Sequence, residues 1–353
     1  MEEVLEKGMT RYVGRLAPSP TGALHLGNVR TFMIAWLRAR SQGGKVIFRM
    51  EDLDHPKDKP GAAAQAVEDL KWLGFDWDEE YVQSERKAIY RQALEALRSQ
   101  TIEQSEQSNN RTIPRVYPCV CSRRDVETAQ SAPHKGEQLH YPGTCRGRFS
   151  SWREAADYKL SQLASQSNIR TIEHSNNSHL PCWRFRVPES TIVSFDDAFA
   201  GPYEQDVSRT LGDFPLARDE FGAGYTLACT VDDLLMGVTE VVRGDDLLAA
   251  TPAQILLAKS LVTCNLPTCQ LANCRIPAYC HVPLVVGRDG KRLAKRHGDT
   301  RIATYREQGK SPEEILGFLA ASCGWAEKGE RVSLCDLLTR FDLGTIPHEP
   351  FMV

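Results

Sequence analysis

Residues 15–28 read Arg15-Leu16-Ala17-Pro18-Ser19-Pro20-Thr21-Gly22-Ala23-Leu24-His25-Leu26-Gly27-Asn28. The short apolar run from Tyr12 to Ala17 predicts a buried strand, and Pro-Ser-Pro-Thr-Gly at 18–22 predicts a turn. From Leu26 to Arg40, Phe32, Ala35, Trp36 and Ala39 recur at helical spacing. Gly43-Gly44 closes that helix and Lys45 to Met50 predicts a second strand. Further helices are expected over 61–73 and 85–99. Strand, helix, strand, helix points to a parallel α/β sheet. In the first turn, Gly22 and Gly27 permit close approach, and a helix start offers N–H groups to an anion. His25 at its mouth can donate to a phosphate. A capped strand–helix turn with a surface His explains the same residues without any chemistry. Neither G-x-G-x-x-G nor a Walker A loop is present, which disfavours those nucleotide sites.

Further along, Gly290-Lys291-Arg292-Leu293-Ala294-Lys295-Arg296-His297-Gly298 brings four cations into six residues. Such a run can neutralise a triphosphate or be an exposed basic turn. It follows a Pro-bounded apolar strand expected at His281–Val286, and helices are expected over 311–323 and 330–340. Gln100–Asn110 and Ser161–Ser178 are polar and poor in packing residues, and are expected as surface insertions or loops. Between them, 111–153 carries eight Arg and Lys against three Asp and Glu. The whole chain has 353 residues, 25% of them charged, and a formal net charge of −3. That excludes wholesale disorder and strong global attraction to nucleic acid, while leaving a local basic patch open. No apolar run nears the ~18 residues of a membrane helix, and the acidic start lacks a signal-peptide pattern. A soluble, cytoplasmic protein with no membrane partner is expected. Eleven cysteines, an odd number, argue for reduced thiols over a disulfide scaffold. Cys119-x-Cys121 followed by Tyr141-x-x-x-Cys145 offers three sulfurs and a phenolic oxygen. By spacing alone a zinc site and a group of buried thiols are equally open.

Pro-Ser-Pro-Thr-Gly-x-Leu-His-Leu-Gly-Asn resembles the HIGH signature of class I aminoacyl-tRNA synthetases in its glutamyl form. Arg292-Leu293-Ala294-Lys295-Arg296 resembles the matching KMSKS loop. Between them, Phe48-Arg49-Met50-Glu51-Asp52-Leu53-Asp54, Val231-Asp232-Asp233 and Gly237-Val238-Thr239-Glu240-Val241-Val242-Arg243-Gly244 resemble the glutamyl branch in the expected order. Five motifs in order do not arise by chance, and the resemblance covers about residues 10–325. It implies an α/β fold: a Rossmann-like class I synthetase catalytic domain with a zinc-binding insertion and a short helical C-terminal region. The expected division is 1–110 for the first catalytic half, 111–205 for a zinc-containing, acceptor-binding-like insertion, 206–287 for the second half, and 288–353 for the basic loop and helical tail. About 55 residues follow His297, which is expected to leave no room for an anticodon-binding domain. With the zinc insertion, this looks like the short glutamyl-queuosine branch of the family.

The implied activity is an ATP-dependent ligase reaction: glutamate becomes glutamyl-adenylate and is then transferred to queuosine in the anticodon loop of tRNA(Asp). The resemblance implies His25 and Lys295 as catalytic residues and His25, Gly27, Asn28 and Lys295 as the ATP site. Arg15 and Arg243 are implied for carboxylates, Glu51 for the ammonium, and Ser19 and Tyr225 for hydrogen bonds, a natural complement to glutamate. Arg15 could instead simply pair with Asp52. The implied zinc ligands are Cys119, Cys121, Tyr141 and Cys145, with one structural Zn2+ per chain, and Mg2+ is expected with ATP. Three departures stand out: Asn28 replaces the second signature His, Ala294 removes a loop hydroxyl, and Cys229 replaces an expected Asn. A monomer is expected. The alternatives are a truncated glutamyl-tRNA synthetase charging tRNA(Glu), a non-catalytic RNA-binding module, and an adenylyltransferase of the same superfold.

Overall fold

The computed structural model describes residues 11–53, 59–103, 112–129, 139–166, 180–263, 271–272, 274–291, 293 and 300–353. Strand β1 (Val13–Leu16), helix α1 (Leu26–Arg40) and strand β2 (Lys45–Met50) open the chain, with β1 and β2 parallel. Helix α1 starts where His25 caps it and buries Val29, Met33, Ile34 and Leu37. The return to β2 needs Gly44, because a Cβ there would stand 2.7 Å from Tyr12 O and 2.8 Å from Ala39 O. Helix α2 (Ala62–Trp72) leads to β3 (Glu79–Val82), parallel on β2, and α3 (Lys87–Arg98) follows.

A short ladder, β4 (Thr101–Glu103) with β5 (Thr112–Pro114), opens the insertion. Next come β6 (Val116–Cys119), α4 (Arg123–Ala129), α5 (Trp152–Gln166) and β7 (Cys182–Phe185), then the hairpin β8 (Ile192–Asp197) and β9 (Gly201–Asp206). Helix α6 (Val207–Thr210) and β10 (Phe214–Ala217) complete it, with β10, β7 and β6 forming one antiparallel sheet. The expected boundary at 205/206 therefore falls inside an interwoven region: β10 lies beyond it yet pairs with β7, and β8 lies before it yet pairs with a catalytic strand. The stretch expected as a polar loop from Ser161 begins as the end of α5 instead. Ser161 and Gln162 are exposed, so a polar sequence there costs the helix little. Residues 167–179, and 104–110 of the other polar stretch, lie outside the described residues.

The second half runs α7 (Tyr225–Leu235), β11 (Glu240–Gly244), α8 (Thr251–Val262), β12 (Ala278–Val282) and β13 (Val285–Val286). The strand expected over 281–286 is split because Pro283 cannot donate to a ladder. The chain continues through α9 (Ile302–Glu307), α10 (Pro312–Ala321), α11 (Leu334–Leu338) and β14 (Phe351–Met352), which pairs with β13. The helix expected over 330–340 starts only after Ser333, which caps it with Asp336 in a reciprocal box, and runs a little over one turn to Leu338.

One sheet has the order β1-β2-β3 and another β11-β12-β8-β9. They meet edge to edge: Thr239 N donates to Val13 O at 2.9 Å, and Val13 N donates to Thr239 Oγ1 at 2.9 Å. The chain thus leaves β1 toward β2 on one side and reaches β11 on the other only after the insertion. Such a reversal opens a crevice beyond the strand C-termini, where α/β proteins bind ligands. One core packs α1 against Phe48 and Leu70 and, from the C-terminal helices, Leu316, Leu319 and Leu337. A second core joins α3, α7 and α8 to Phe185 and Phe214 of the insertion. None of the described helices is long and apolar enough to cross a membrane.

Candidate active site

A cleft of about 480 Å3 opens at this reversal. Ser19, His25, Gly27 and Asn28 line it from the first motif, Glu51 from the end of β2, and Tyr225 and Arg243 from α7 and β11. Chain segments some 200 residues apart thus share one wall, as a parallel sheet demands. Leu293 lines it too, and Thr300 O, just after the basic loop, accepts from Leu26 N of the first motif at 3.1 Å. Lys295 lies outside the described residues, as do Arg292, Ala294 and Arg296.

His25 does more than stand at a helix mouth. Its Nδ1 accepts from Gly27 N at 3.1 Å and Asn28 N at 3.4 Å, and Asn28 Oδ1 accepts from His25 N at 3.1 Å. An accepting Nδ1 puts the neutral ring's proton on Nε2. The N–H groups of Leu26, Gly27 and Asn28 are thereby engaged, so the first turn does not present the open amides that the sequence suggested. With Nδ1 accepting, the ring's donor is Nε2–H.

The carboxylate of Glu51 is fixed by one of its oxygens. Oε1 accepts from Arg49 Nη2 at 3.0 Å and from the Cys229 thiol at 3.1 Å. Oε2 has no hydrogen bond among the described residues, which suits an ammonium group in the cleft. Cys229, where Asn was expected, therefore touches Glu51, and burial pushes its thiol well above the ordinary range, so it stays a donor. Arg49 is wholly buried and also binds Asp233 Oδ1 at 2.7 Å. Asp232 is held by Gln83, Arg86 and Tyr90. This buried charge network, missed in the sequence, is what the Phe-Arg-Met-Glu-Asp and Val-Asp-Asp motifs build together.

Arg15 does not line the cleft. It lies buried beside it, giving Nη1 to Val242 O at 2.8 Å, with Nε 3.7 Å from Asp233 Oδ1 and without a hydrogen bond among the described residues. The pairing with Asp52 does not form, since Asp52 accepts from Ser84 N and Oγ instead. Arg243 is buried except at the cleft, giving Nε to His281 Nε2 at 3.0 Å and Nη2 to Thr251 Oγ1 at 2.7 Å.

Away from the cleft, the insertion gathers the Sγ atoms of Cys119, Cys121 and Cys145 within 4.8 Å of one another. The Tyr141 hydroxyl stands 3.2 Å from Cys119 Sγ and 3.7 Å from Cys121 Sγ, and accepts from Cys145 N at 2.9 Å. Tetrahedral zinc with sulfur at ~2.3 Å separates its donors by roughly 3.7 Å, and Cys121 Sγ to Cys145 Sγ is 3.6 Å. The four donors thus fit a metal ion by chemistry and spacing. The neighbouring thiols of Cys121, Cys145 and Cys182, with the Arg184 guanidinium, hold the Cys119 thiol far below its usual range. Arg184 Nε lies 3.2 Å from Cys119 Sγ and its guanidinium sits 3.8 Å from the centre of the Tyr141 ring. Sequence spacing singled out neither Cys182 nor Arg184. Both are brought in by the β6–β7 pairing, where Cys119 faces Cys182.

Residues 11–106 and 137–343 match the family model for the catalytic domain of class I tRNA synthetases (E and Q), and the chain belongs to that family. Within it, the chain is 41% identical over 351 residues to a glutamyl-Q tRNA(Asp) synthetase of Symbiobacterium thermophilum, covering 96% of this chain and 95% of that one. It is 42% identical to a glutamyl-Q tRNA(Asp) synthetase of Rhodopirellula baltica, covering 98% and 97%. It is also similar to a crystal structure of a glutamate tRNA ligase from Elizabethkingia meningosepticum in complex with its amino acid, with a TM-score of 0.71, 25% identity, and coverage of 97% of this chain but 67% of that one.

Proposed function

We propose that the chain activates L-glutamate with ATP and transfers it to the queuosine of the tRNA(Asp) anticodon. The observation that carries this is the single cleft in which His25 meets Glu51, Tyr225 and Arg243. The near end-to-end match to glutamyl-Q tRNA(Asp) synthetases favours queuosine over the 3′ end of tRNA(Glu) as the acceptor.

Glutamate binds with its ammonium on Glu51 Oε2 and a carboxylate on Arg243, while Ser19 and Tyr225 supply hydrogen bonds and Arg15 adds positive charge from below the wall. The α-carboxylate oxygen attacks the α-phosphorus of ATP, the bond to the bridging oxygen breaks, and pyrophosphate leaves. This in-line transfer calls for positioning and charge neutralisation more than for a general base. His25 Nε2–H holds the α-phosphate region, its ring fixed from the other side by the backbone N–H groups of Gly27 and Asn28. Lys295 holds the leaving pyrophosphate, and Mg2+ accompanies ATP to offset phosphate charge. A queuosine hydroxyl then attacks the acyl carbon and AMP leaves. Because the adenylate lies in the cleft, the anticodon loop has to reach it. The basic 111–153 segment is a source of phosphate contacts to that single-stranded loop. Zn2+, one per chain, is held by Cys119, Cys121, Tyr141 and Cys145 and supplies a structural crosslink, with no part in the transfer. The reaction belongs in the cytoplasm, with tRNA and ATP.

The test is transfer of labelled glutamate to tRNA(Asp) with and without queuosine. Labelling that requires queuosine, survives trimming of the 3′-terminal nucleotides and occurs on an anticodon stem-loop is the expected result. Labelling of tRNA(Glu) that needs an intact 3′ end would replace this reading with a tRNA(Glu)-charging one.

A further inference from the structure

We infer that Asp197 and His281 are positioning residues which orient the Arg243 guanidinium toward the carboxylate of the amino-acid substrate. This rests on the glutamate reading of the cleft above.

The three residues are placed by strand pairing. Arg243 on β11 faces His281 on β12, and Asp197 ends β8 on the far side of β12, opposite Tyr279. The Arg243 Nε–H can only donate, so the His281 Nε2 that it meets at 3.0 Å has to accept. The ring proton is then on Nδ1, which gives it to Asp197 Oδ2 at 2.6 Å. Asp197 is itself immobilised: its Oδ1 accepts from the backbone N–H groups of His281 at 3.0 Å, Phe199 at 3.0 Å and Ala200 at 2.8 Å. Three donors and an imidazole keep it ionised, below the usual carboxylate range, while burial keeps His281 neutral. The direction of every hydrogen bond in the series is thus determined by the charge at its far end.

The consequence falls on Arg243. Its Nε edge is held by His281 and its Nη2 by Thr251, while Nη1 makes no hydrogen bond among the described residues. The Tyr279 ring lies 5.5 Å from the guanidinium carbon. A planar fork held at two corners presents the third in one orientation, which is what recognition of a carboxylate needs. The β8–β9 hairpin, which lies before the second catalytic half in the chain, thereby controls a contact at the cleft.

Glutamate-dependent ATP–pyrophosphate exchange by the full chain tests this. Asp197→Asn is nearly isosteric and keeps an acceptor for the three backbone donors. Its amide N–H would drive the ring proton from Nδ1 to Nε2, where Thr251 Oγ1 at 3.0 Å can accept it and Arg243 Nε loses its acceptor. The KM for glutamate is expected to rise about tenfold or more, with the KM for ATP and kcat changed less than about threefold, as for loss of one charge-assisted contact in binding. His281→Gln keeps an acceptor for Arg243 and is expected to stay within about threefold of the unsubstituted enzyme in glutamate KM. The double variant has no ring proton to invert, so it should match His281→Gln alone. An Asp197→Asn enzyme with unchanged glutamate KM, or a double variant worse than either single, overturns the relay. Should Asp197→Asn not fold, 15N NMR of His281 in the unsubstituted protein decides it: Nδ1–H is expected, and Nε2–H overturns it. An unsubstituted enzyme that makes no exchange with glutamate sinks the functional reading instead, and the tautomer still reports on the relay.

Discussion

Arg49 carries its charge with no access to solvent, shared between Glu51 at 3.0 Å and Asp233 at 2.7 Å, with Asp232 at 3.9 Å. Those carboxylates raise its pKa against the burial that would lower it. Removing the cation would leave Glu51 without an arginine partner among the described residues and Asp233 with only Arg15, at 3.7 Å. Arg49→Met is therefore expected to cost about 3–5 kcal/mol, the usual range for breaking a buried pair from one side. Urea unfolding measures it, and a loss below about 1 kcal/mol would mean that water takes the arginine's place. At this scale the sequence was only partly informative. It ranked Arg15, Glu51 and Arg243 as ligand residues from the motifs, but Arg49 stood inside one motif without a stated role. Cys229 could be seen as a missing amide, yet its bond to Glu51 joins residues 178 apart. Contacts over such distances leave no local pattern.

The insertion shows what one element can carry. Its core is small: Tyr117, Cys119, Val126, Tyr141 and Cys145 are the buried hydrophobic and thiol residues of the cluster. A group that size buries too little apolar surface to hold a fold alone, and its polar ties, Tyr117 OH and Arg146 to Asp213, stay within the insertion. A metal bound at the proposed site would supply what the core lacks. Protein purified without chelators is expected to contain about one zinc per chain, and Cys119→Ser or Cys145→Ser to lose it. Hydrogen exchange should quicken across 112–129 and 139–153 in those variants, while β11 and β12 keep their protection. Metal analysis that finds none would leave plain thiols. The Cys-x-Cys and Tyr-x-x-x-Cys spacing marked this element in the sequence, because its donors come in two pairs, each within a few residues. Its sheet was not legible, since β7 pairs with β6 from more than 60 residues further on and β10 joins later still.

For the whole molecule, the joint between the two halves of the sheet is as polar as it is apolar. Glu240 on β11 accepts from Tyr12 OH at 2.7 Å and takes Arg38 in a fork at 2.9 and 3.1 Å, tying β1 and α1 to a strand more than 200 residues later. Burial and the Glu240 charge hold the Tyr12 phenol far above its ordinary range, so it remains a donor. Glu240→Gln would turn an amide N–H toward Arg38 or Tyr12. A loss of roughly 1–3 kcal/mol is expected, in the range of hydrogen bonds to charged groups, with Arg38 partly relieved by water. Denaturant titration reads it, and a change under ~0.5 kcal/mol would mean that Thr239 and Val13 hold the joint unaided.

By itself the sequence determined the first strand–turn–helix–strand unit to within a residue or two, because hydrophobic period, glycines and caps act within a few residues of one another. It determined the order of the motifs and the four donors of the cysteine cluster for the same reason. The tertiary structure alone decided that His25 spends its Nδ1 on its own helix, that Arg15 lies beneath the cleft wall, and that strands β8 and β10 cross the expected domain boundary. It alone brought Asp197 and His281 up behind Arg243. Each of these depends on which strand lies beside which, and that is settled by packing between segments far apart in the chain, where no local propensity reaches.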